Sequence, residues 1–405
     1  MSRASRPPAI RNRIVLHVPG FEPLLPAEHR SRFAGTLART ARTWAIEAAA
    51  GPGAPSGDGT AFAFHAHAAG PDWRTEAEVR LLPWDDLIRD ELAHGAARRL
   101  LRGTAALGDV LASGTLARYF AAHWRYGLFA SYPMALLAGA GGAAAAAGIA
   151  AGGIAGVALA PCVLAGLLAG AGRFLHLDVL LADWRFAVDV AHDRHAAYAA
   201  RIARFADEIA AALGRSGVDE VLLVGHSLGA VFAVDALDEA LRRDPALLQG
   251  GPRFALVGLG SSVLKIALHP AAERLRSALA ELAATPGLVW VDHSSRRDVL
   301  SFERSEPIAT LGLPGRGPRL ERVHPRDMVD AATWSRIRHR PLRVHRQYVL
   351  GNARRYFLDF GLLACGPLPV DAGLRPDRVL GPDGALGGQH APLMAVPLPV
   401  PEPAA

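Results

Sequence analysis

Residues 219–241 read DEVLLVGHSLGAVFAVDALDEAL, and this stretch decides the fold. Its first part, residues 220–224, is rich in leucine and valine, which is typical of a buried strand. A tight turn follows, and residues 228–242 then have the apolar spacing of a helix. Strand, turn and helix in this order predict an α/β fold, with a mainly parallel sheet covered by helices on both faces.

Further strands and helices alternate on both sides of this unit. We predict strands at residues 13–18, 61–67, 76–83, 253–260, 288–292 and 341–345. We predict helices at residues 26–50, 85–101, 178–213 and 270–284. Residues 51–59, GPGAPSGDG, have the composition of a loop. From Gly366 onward proline, glycine and alanine dominate, so we expect a poorly ordered tail.

The segment Gly225-His226-Ser227-Leu228-Gly229 matches the G-x-S-x-G pattern of a nucleophile elbow. Between a strand and a helix, such a serine takes a strained backbone conformation, and the two glycines let the helix pack closely against the strand. The hydroxyl is then exposed above the sheet, and the N–H of Leu228 lies at the positive end of a helix. A serine that only capped the helix would not need glycine on both sides. The pattern therefore indicates an acyl-transfer site.

In this setting GHSLGA resembles the α/β-hydrolase superfamily, in particular its lipase and esterase members, over roughly residues 13–360. In that family a second oxyanion N–H comes from the loop after an early strand, and LHVPGF at residues 16–21 is similar to that loop. The resemblance implies Phe21 or Gly20 as the donor, with His17 in the loop and His226 beside the substrate. A plain Pro-Gly turn is the alternative. The sheet begins with this strand, so the family's usual first strands are missing or rearranged.

A serine nucleophile needs a histidine to take its proton and a carboxylate to orient that histidine. The family's chain order puts both after Ser227, with the acid just beyond the second strand after the elbow. This order implies Asp298 as the acid, with Asp292 as the alternative. The base follows the last strand in the family, which implies His345, with His324 as the alternative.

A long apolar segment lies between Arg125 and Arg173, where 47 consecutive residues carry no formal charge. One helix of this length would measure about 70 Å, more than twice a bilayer core of about 30 Å. We therefore predict a transmembrane hairpin with crossings at residues 126–147 and 150–172. Glycines spaced by four residues favour close helix packing in lipid, at Gly148, Gly152 and Gly156 and at Gly166 and Gly170. A buried soluble hairpin is the alternative, because alanine and glycine gain little on transfer into lipid.

Arginines flank the apolar segment, with Arg118 and Arg125 before it and Arg173 and Arg185 after it. The positive-inside rule predicts that both flanks, and so the catalytic domain, face the cytoplasm, at the inner membrane if the protein is bacterial. Residues 1–13 lack the apolar run of a secretory signal. We predict four parts, namely a first hydrolase section, the membrane hairpin, a second hydrolase section and the tail, at residues 1–108, 109–175, 176–365 and 366–405.

Composition argues against several other classes of site. The two cysteines, Cys162 and Cys365, cannot form a disulfide framework or a four-ligand zinc site. The sequence lacks H-x-x-x-H, H-E-x-x-H and phosphate-loop patterns, so we expect no metal and no cofactor.

The positive charge of the chain comes almost wholly from arginine. The net charge is +6, and Lys265 is the only lysine. Nine arginines lie between Arg322 and Arg355. Such a stretch could bind nucleic acid or anionic lipid head groups, or could form a solvated face. No nucleic-acid-binding motif accompanies it, so we expect no nucleic-acid partner.

Together these features predict a membrane-anchored serine hydrolase that cleaves an ester or thioester in a lipid or acyl substrate. Ser227 would attack, His345 would carry the proton and Asp298 would orient the histidine, with Leu228 and Phe21 donating to the oxyanion. The competing class is a non-catalytic membrane protein that uses a hydrolase-like scaffold for partner binding or assembly. The oligomeric state does not follow from the sequence.

Overall fold

The computed structural model describes residues 9–57 and 59–387. They form an α/β structure around one eight-stranded, mostly parallel mixed sheet with the order β2-β3-β4-β1-β5-β6-β7-β8. The strands are β1 (Asn12–Val18), β2 (Glu47–Pro55), β3 (Phe62–Gly70), β4 (Trp73–Leu81), β5 (Glu220–His226), β6 (Arg253–Leu259), β7 (Val289–Ser294) and β8 (Arg319–Arg322). β2, β3 and β4 pair antiparallel, and all later neighbours in the sheet pair parallel.

The first eight helices precede the elbow strand β5. They are α1 (Pro26–Trp44), α2 (Asp85–Ala93), α3 (Ala96–Ala112), α4 (Thr115–Ala122), α5 (Trp124–Ala151), α6 (Gly153–Leu175), α7 (Leu177–Ala191) and α8 (Ala196–Leu213).

The other helices of the described residues follow β5. They are α9 (Gly229–Arg243), α10 (Val263–Ala267), α11 (Glu273–Ala284), α12 (Pro307–Leu311), α13 (Pro325–Met328), α14 (Ala331–Ile337), α15 (Pro341–His345), α16 (Phe360–Cys365) and α17 (Pro376–Val379), with a 3-10 turn at Arg346–Val349.

The elbow strand β5 lies at the centre of the parallel part of the sheet, between β1 and β6. All seven of its residues are buried, as expected for a strand covered on both faces. Val221 and Leu223 belong to one apolar cluster, and Leu222 and Val224 belong to the cluster on the opposite face. The alternation of side chains along a strand thus divides β5 between two core layers.

The segment 341–345, predicted as a strand, is instead the short helix α15. Pro341 occupies its first turn, where the missing N–H costs nothing and the fixed φ suits a helix. The sheet ends at β8, which the sequence analysis did not predict. His345 is therefore the last residue of a short helix and does not follow a final strand.

Three predicted helices are shorter or broken. The helix predicted at 26–50 ends at Trp44, and residues 47–55, including part of the predicted loop, form the edge strand β2. The helix predicted at 178–213 is interrupted between α7 and α8, where Asp193 has φ of +54°. The helix predicted at 85–101 is divided by a break between Ala93 and Ala96. The helical pattern of these stretches did not reveal where the helices end or break, because tertiary packing decides those positions.

The stretch 366–387, expected to be poorly ordered, packs against the core. Arg13 donates hydrogen bonds to the carbonyls of Gly366 and Leu368, each at 2.8 Å. Trp73 Nε1 donates to the carbonyl of Gly384, also at 2.8 Å. These buried donors need acceptors, and the chain supplies them from its backbone. Residues 388–405 of the predicted tail lie outside the described residues.

α5 and α6 form the predicted apolar hairpin, and both are long and apolar enough to cross a membrane. At about 1.5 Å per residue they measure about 42 and 35 Å. The turn lies at Gly152 and Gly153, whose φ angles are +64° and +49°. This turn is five to six residues beyond the predicted first crossing, which ended at residue 147.

The two hairpin helices contact each other through glycine. A Cβ placed on Gly156 would meet the carbonyl oxygen of Gly148 at 2.1 Å, so the backbones approach as predicted. Gly166 and Gly170 have nothing within 4 Å of such an atom, and their spacing therefore serves no helix contact among the described residues. Of the fourteen exposed large apolar side chains among the described residues, nine belong to α5 and α6.

Candidate active site

Ser227 lies in the turn between β5 and α9 with φ of +55°, a region that non-glycine residues rarely adopt. A Cβ on Gly225 would come within 2.4 Å of the Ala230 Cα, and one on Gly229 within 2.2 Å of the Val18 carbonyl oxygen. Both glycines are therefore required by close backbone contacts on the two sides of the strained serine. This is the geometry that the G-x-S-x-G pattern predicts.

His345 and Asp298 are brought together by elements far apart in the sequence. His345 Nδ1 and Asp298 Oδ2 are 2.8 Å apart, and both side chains are almost fully buried. Asp298 also accepts a hydrogen bond from the N–H of Leu300 at 3.0 Å. Burial alone would raise the pKa of Asp298, but the charge and hydrogen bond of His345 outweigh it and lower that pKa. The carboxylate is thus kept ionised against the ring.

The other ring nitrogen of His345 is available for proton transfer. Its Nε2 is buried and has no hydrogen-bond partner among the described residues. His345 and Ser227 line the same pocket. The Ser227 Oγ lies 3.4 Å from the Ser262 Oγ, and no hydrogen bond joins it to His345 in the described part of the chain. In enzymes without substrate, such bonds are often long and form fully only in the reacting complex.

The alternative acid and base lie elsewhere. Asp292 is on β7, and burial raises its pKa to about 7. Its Oδ1 has no partner within the described residues, and His345 pairs with Asp298 instead. His324 is exposed at the start of α13, and its backbone N–H donates to the Tyr356 hydroxyl. In the structure, Asp298 and not Asp292 is the carboxylate that contacts His345.

The loop after β1 lies directly against the elbow. A Cβ on Gly20 would meet Ser227 Cβ at 3.0 Å, so a glycine is needed for this approach. Phe21 lines the pocket and packs edge-on to Trp84, with ring centroids 5.8 Å apart. The backbone N–H groups of Phe21 and Leu228 donate no hydrogen bond within residues 9–57 and 59–387. Two unused donors beside the serine are what an oxyanion site requires.

His226 lines the pocket and also contacts the backbone of the histidine of the pair. Its Nε2 lies 3.3 Å from the carbonyl oxygen of His345, and the two ring centroids are 4.9 Å apart. Burial, followed by repulsion from His345, lowers the pKa of His226 to about 3. The ring is therefore neutral at physiological pH, and its Nε2–H can hold the His345 backbone. His17, near the end of β1, is also buried and packs against Phe360.

Glu22 is a site residue that the sequence analysis did not identify. It forms ion pairs with Arg32 of α1, at 2.5 Å, and with Arg346, next to the histidine. Burial opposes the charge of Glu22, but the two arginines lower its pKa to about 2. The carboxylate therefore connects the loop after β1 to the segment that carries His345. Its position directly after Pro-Gly-Phe is the only local signal.

The pocket beside Ser227 is small, about 90 Å³, and one of its walls comes from the foot of the hairpin. Tyr126 and Phe129 of α5 line it together with Val179 and Leu180 of α7. The foot is fixed to the core, because the Tyr126 ring stacks on Phe302 with centroids 3.9 Å apart. The remaining lining residues are Gly20, Phe21, Glu22, His176, Asp183, His226, Leu228, Ser262, Lys265, Leu300, Leu342, His345 and Arg346.

The only lysine of the chain, Lys265, is buried in this wall. Its Nζ pairs with Asp183 and lies 4.5 Å from the centroid of the Trp184 ring. Burial lowers the pKa of Lys265, and Asp183 partly offsets this effect. Lys265 on α10 thus contacts a carboxylate and an aromatic ring that both belong to α7. It links the pocket to the helix that follows the hairpin.

One cluster away from the pocket has donor atoms close enough for a metal ion, formed by Asp109, His192 and His269. Asp109 Oδ2 lies 2.7 Å from His192 Nε2 and 3.5 Å from His269 Nε2. The N–H of Ala271, however, donates to His269 Nδ1 at 3.2 Å. In a neutral imidazole the other nitrogen, which faces the cluster, then carries the hydrogen and cannot bind a metal. Asp109 and His192 thus form a hydrogen-bonded pair, and His269 faces Asp109 without a hydrogen bond among the described residues.

Comparisons with protein-family models, with curated proteins and with solved structures find no match to this chain. What is established is therefore an α/β structure with a mostly parallel mixed sheet, two helices of membrane-spanning length and composition, and the geometry described above.

Proposed function

We propose that this chain is a membrane-anchored serine hydrolase of the α/β-hydrolase type that cleaves an ester or thioester of a lipid or acyl substrate. The observation that carries the proposal is the buried Asp298–His345 pair in the pocket that also contains the strained Ser227. A structural ion pair would need neither a second ring nitrogen without a partner nor a serine held at positive φ.

In the proposed reaction the Ser227 Oγ attacks the carbonyl carbon while His345 Nε2 takes the hydroxyl proton. The negative charge of Asp298 stabilises the imidazolium that forms. The N–H groups of Leu228 and Phe21 donate to the oxyanion, and the proton on His345 passes to the leaving alcohol or thiol as the bond to the carbonyl carbon breaks. Water then attacks the acyl-enzyme, His345 takes its proton and returns it to Ser227, and the carboxylic acid leaves.

The hairpin supports a membrane-resident substrate. Its apolar side chains are exposed, for example Ile149 at 82% and Ile154 at 90%, whereas its foot forms one wall of the pocket. Exposed apolar surface on this scale is stable in lipid and costly in water. An acyl chain in the bilayer therefore has a short apolar path from the hairpin foot to Ser227. The flanking arginines argue for a catalytic domain on the cytoplasmic side.

Hydrolysis of p-nitrophenyl acyl esters and of acyl thioesters by the detergent-purified full chain tests the proposal. We expect turnover by the wild type and none above background by Ser227→Ala. The matched control is Ser262→Ala, which removes the neighbouring hydroxyl and should retain turnover. Activity that survives in Ser227→Ala and disappears in Ser262→Ala would refute Ser227 as the nucleophile.

The alternative is a non-catalytic membrane protein that uses this scaffold for partner binding. One observation favours it, namely that the Ser227 hydroxyl is close to Ser262 and lacks a hydrogen bond to His345 among the described residues. A folded wild type without turnover on any acyl ester or thioester would support this alternative.

A further inference from the structure

A cleft of about 420 Å³ lies on the other side of the segment that carries His345. Its lining residues are Arg39, Thr333, Arg336, Ile337, Arg340, Arg343, Arg346, Gln347 and Leu350. We call it the arginine cleft. Five of these nine residues are arginines, and no carboxylate lines the cleft. Such a concentration of one charge attracts an anion into the cleft.

The arginines of the cleft are not neutralised within the protein. Only Arg346 has an acidic partner in the described part of the chain, which is Glu22. Arg336 donates to the neutral Thr333 hydroxyl at 3.2 Å. Arg39, Arg340 and Arg343 form no ion pair with any residue in 9–57 or 59–387 and are exposed. By contrast, the exposed Arg243 on α9 pairs with both Asp207 and Glu239.

The arginine cleft adjoins the catalytic pocket. Arg346 lines both cavities, and Leu342, one helical turn earlier, also lines the catalytic pocket. Arg340 and Arg343 flank Leu342 and line only the cleft. A molecule whose ester reaches Ser227 therefore has an apolar wall at the hairpin foot on one side and unneutralised guanidinium groups on the other.

From this arrangement we infer that the arginine cleft binds the phosphate head group of an anionic glycerophospholipid whose acyl ester lies in the catalytic pocket. Guanidinium groups bind phosphate through paired, charge-assisted hydrogen bonds. The lipid source follows from the shared residue Arg346, which places the cleft beside a pocket that the hairpin foot lines. The ester placement rests on the proposed function, whereas head-group binding does not.

The test is equilibrium binding by native mass spectrometry, with full-length Ser227→Ala protein in neutral detergent so that no lipid is consumed. The probes are dihexanoyl phosphatidylglycerol, dihexanoyl phosphatidylcholine, inorganic phosphate and an RNA oligonucleotide. The variant is Arg340→Gln with Arg343→Gln. The matched control removes two exposed arginines outside the cleft, through Arg204→Gln with Arg338→Gln.

We expect phosphatidylglycerol to bind more tightly than phosphatidylcholine and than inorganic phosphate. The cleft variant should lose roughly 25-fold in affinity for phosphatidylglycerol, because each arginine near an anionic lipid contributes about 1 kcal/mol and 1.4 kcal/mol is tenfold. Phosphatidylcholine has the same phosphate but also a cationic choline that the arginines repel, so its affinity should fall by less, and the control should match the parent protein.

Equal losses in the cleft variant and the control would overturn the inference, because they would reflect net charge alone. Phosphate binding as tight as that of phosphatidylglycerol would show a site for the free anion. Arginine-dependent RNA binding without lipid binding would show a nucleic-acid surface. Turnover of a neutral p-nitrophenyl ester by the cleft variant with Ser227 intact reports on the proposed function separately, because that ester has no head group.

Discussion

The elbow region and the hairpin expose and bury their side chains in opposite ways. Around Ser227 the charged groups Asp298 and Glu22 are buried, and each has a charged or histidine partner. In the hairpin, large apolar side chains such as Ile154 are exposed along helices that contain no carboxylate. A buried charge is tolerated when it is paired, and an exposed apolar helix is tolerated when its solvent is not water. We therefore expect water around the elbow region and lipid around the hairpin.

The largest effect is expected in the elbow region, from Asp298→Asn. The amide cannot hold the His345 tautomer that accepts the Ser227 proton, so the rate of acyl-ester turnover should fall by about 10⁴-fold. Turnover with p-nitrophenyl butyrate measures this loss. Membrane association of the variant should be unchanged. A variant that loses less than tenfold would show that Asp298 does not act on the serine through His345.

The second prediction compares the loss of stability when a glycine of each region is replaced by alanine. Gly229→Ala places a methyl group 2.2 Å from the Val18 carbonyl oxygen, and we expect an unfolding free energy lower by at least about 3 kcal/mol, or no soluble fold. Gly166→Ala is the matched control, because nothing lies within 4 Å of its added methyl group. Chemical unfolding in detergent measures both. Equal stability of the two variants would contradict the close packing at the elbow.

How well the sequence predicted these two regions depends on how local their determinants are. The strand–turn–helix around Ser227 and the apolar hairpin follow from short patterns of glycine, leucine and alanine. Two outcomes required the tertiary structure. PLRVH has strand-like residues but begins with Pro341 and forms a short helix that is not part of the sheet. Glu22 gains its role only from Arg32 and Arg346, which no spacing rule connects to it. Asp298 was preferred over Asp292 by analogy, and the contact with His345 agrees with that choice.

A third prediction tests whether lipid surrounds the hairpin. Leu167 is 42% exposed near the middle of α6, and Leu167→Asp should weaken membrane insertion by about 3 kcal/mol, because a carboxylate is costly inside a bilayer. The control, Leu101→Asp, changes a leucine on α3 that is 71% exposed outside the hairpin. Extraction of membranes with alkaline carbonate should release the first variant and not the second. If both behave like the wild type, the hairpin does not sit in lipid.

The fourth prediction concerns Glu22 and acid stability. Its pKa falls from 4.5 in the unfolded chain to about 2 in the fold, so its stabilising effect is complete above about pH 4.5. That effect, about 3 kcal/mol, is lost as the pH falls toward 2. Glu22→Gln should be less stable at neutral pH and should lose less stability on acidification. Unfolding curves between pH 7 and 2 measure this difference.

The matched control for the acid dependence is Glu273→Gln. Glu273 is exposed and has no ion-pair partner among the described residues, so its replacement should leave the wild-type slope intact. Identical slopes for Glu22→Gln and the wild type would show that the two arginine contacts do not hold the loop after β1 against the His345 segment.

The most direct measurement is covalent labelling of the purified full chain by a fluorophosphonate probe, with the modified residue located by mass spectrometry. Only an activated serine reacts quickly with this probe, since the attack requires a base that removes the hydroxyl proton. The account predicts rapid labelling of the wild type at Ser227, and loss of labelling in both Ser227→Ala and His345→Ala. A folded wild type that is not labelled, or that is labelled at Ser262, would contradict the assignment of Ser227 as the activated nucleophile.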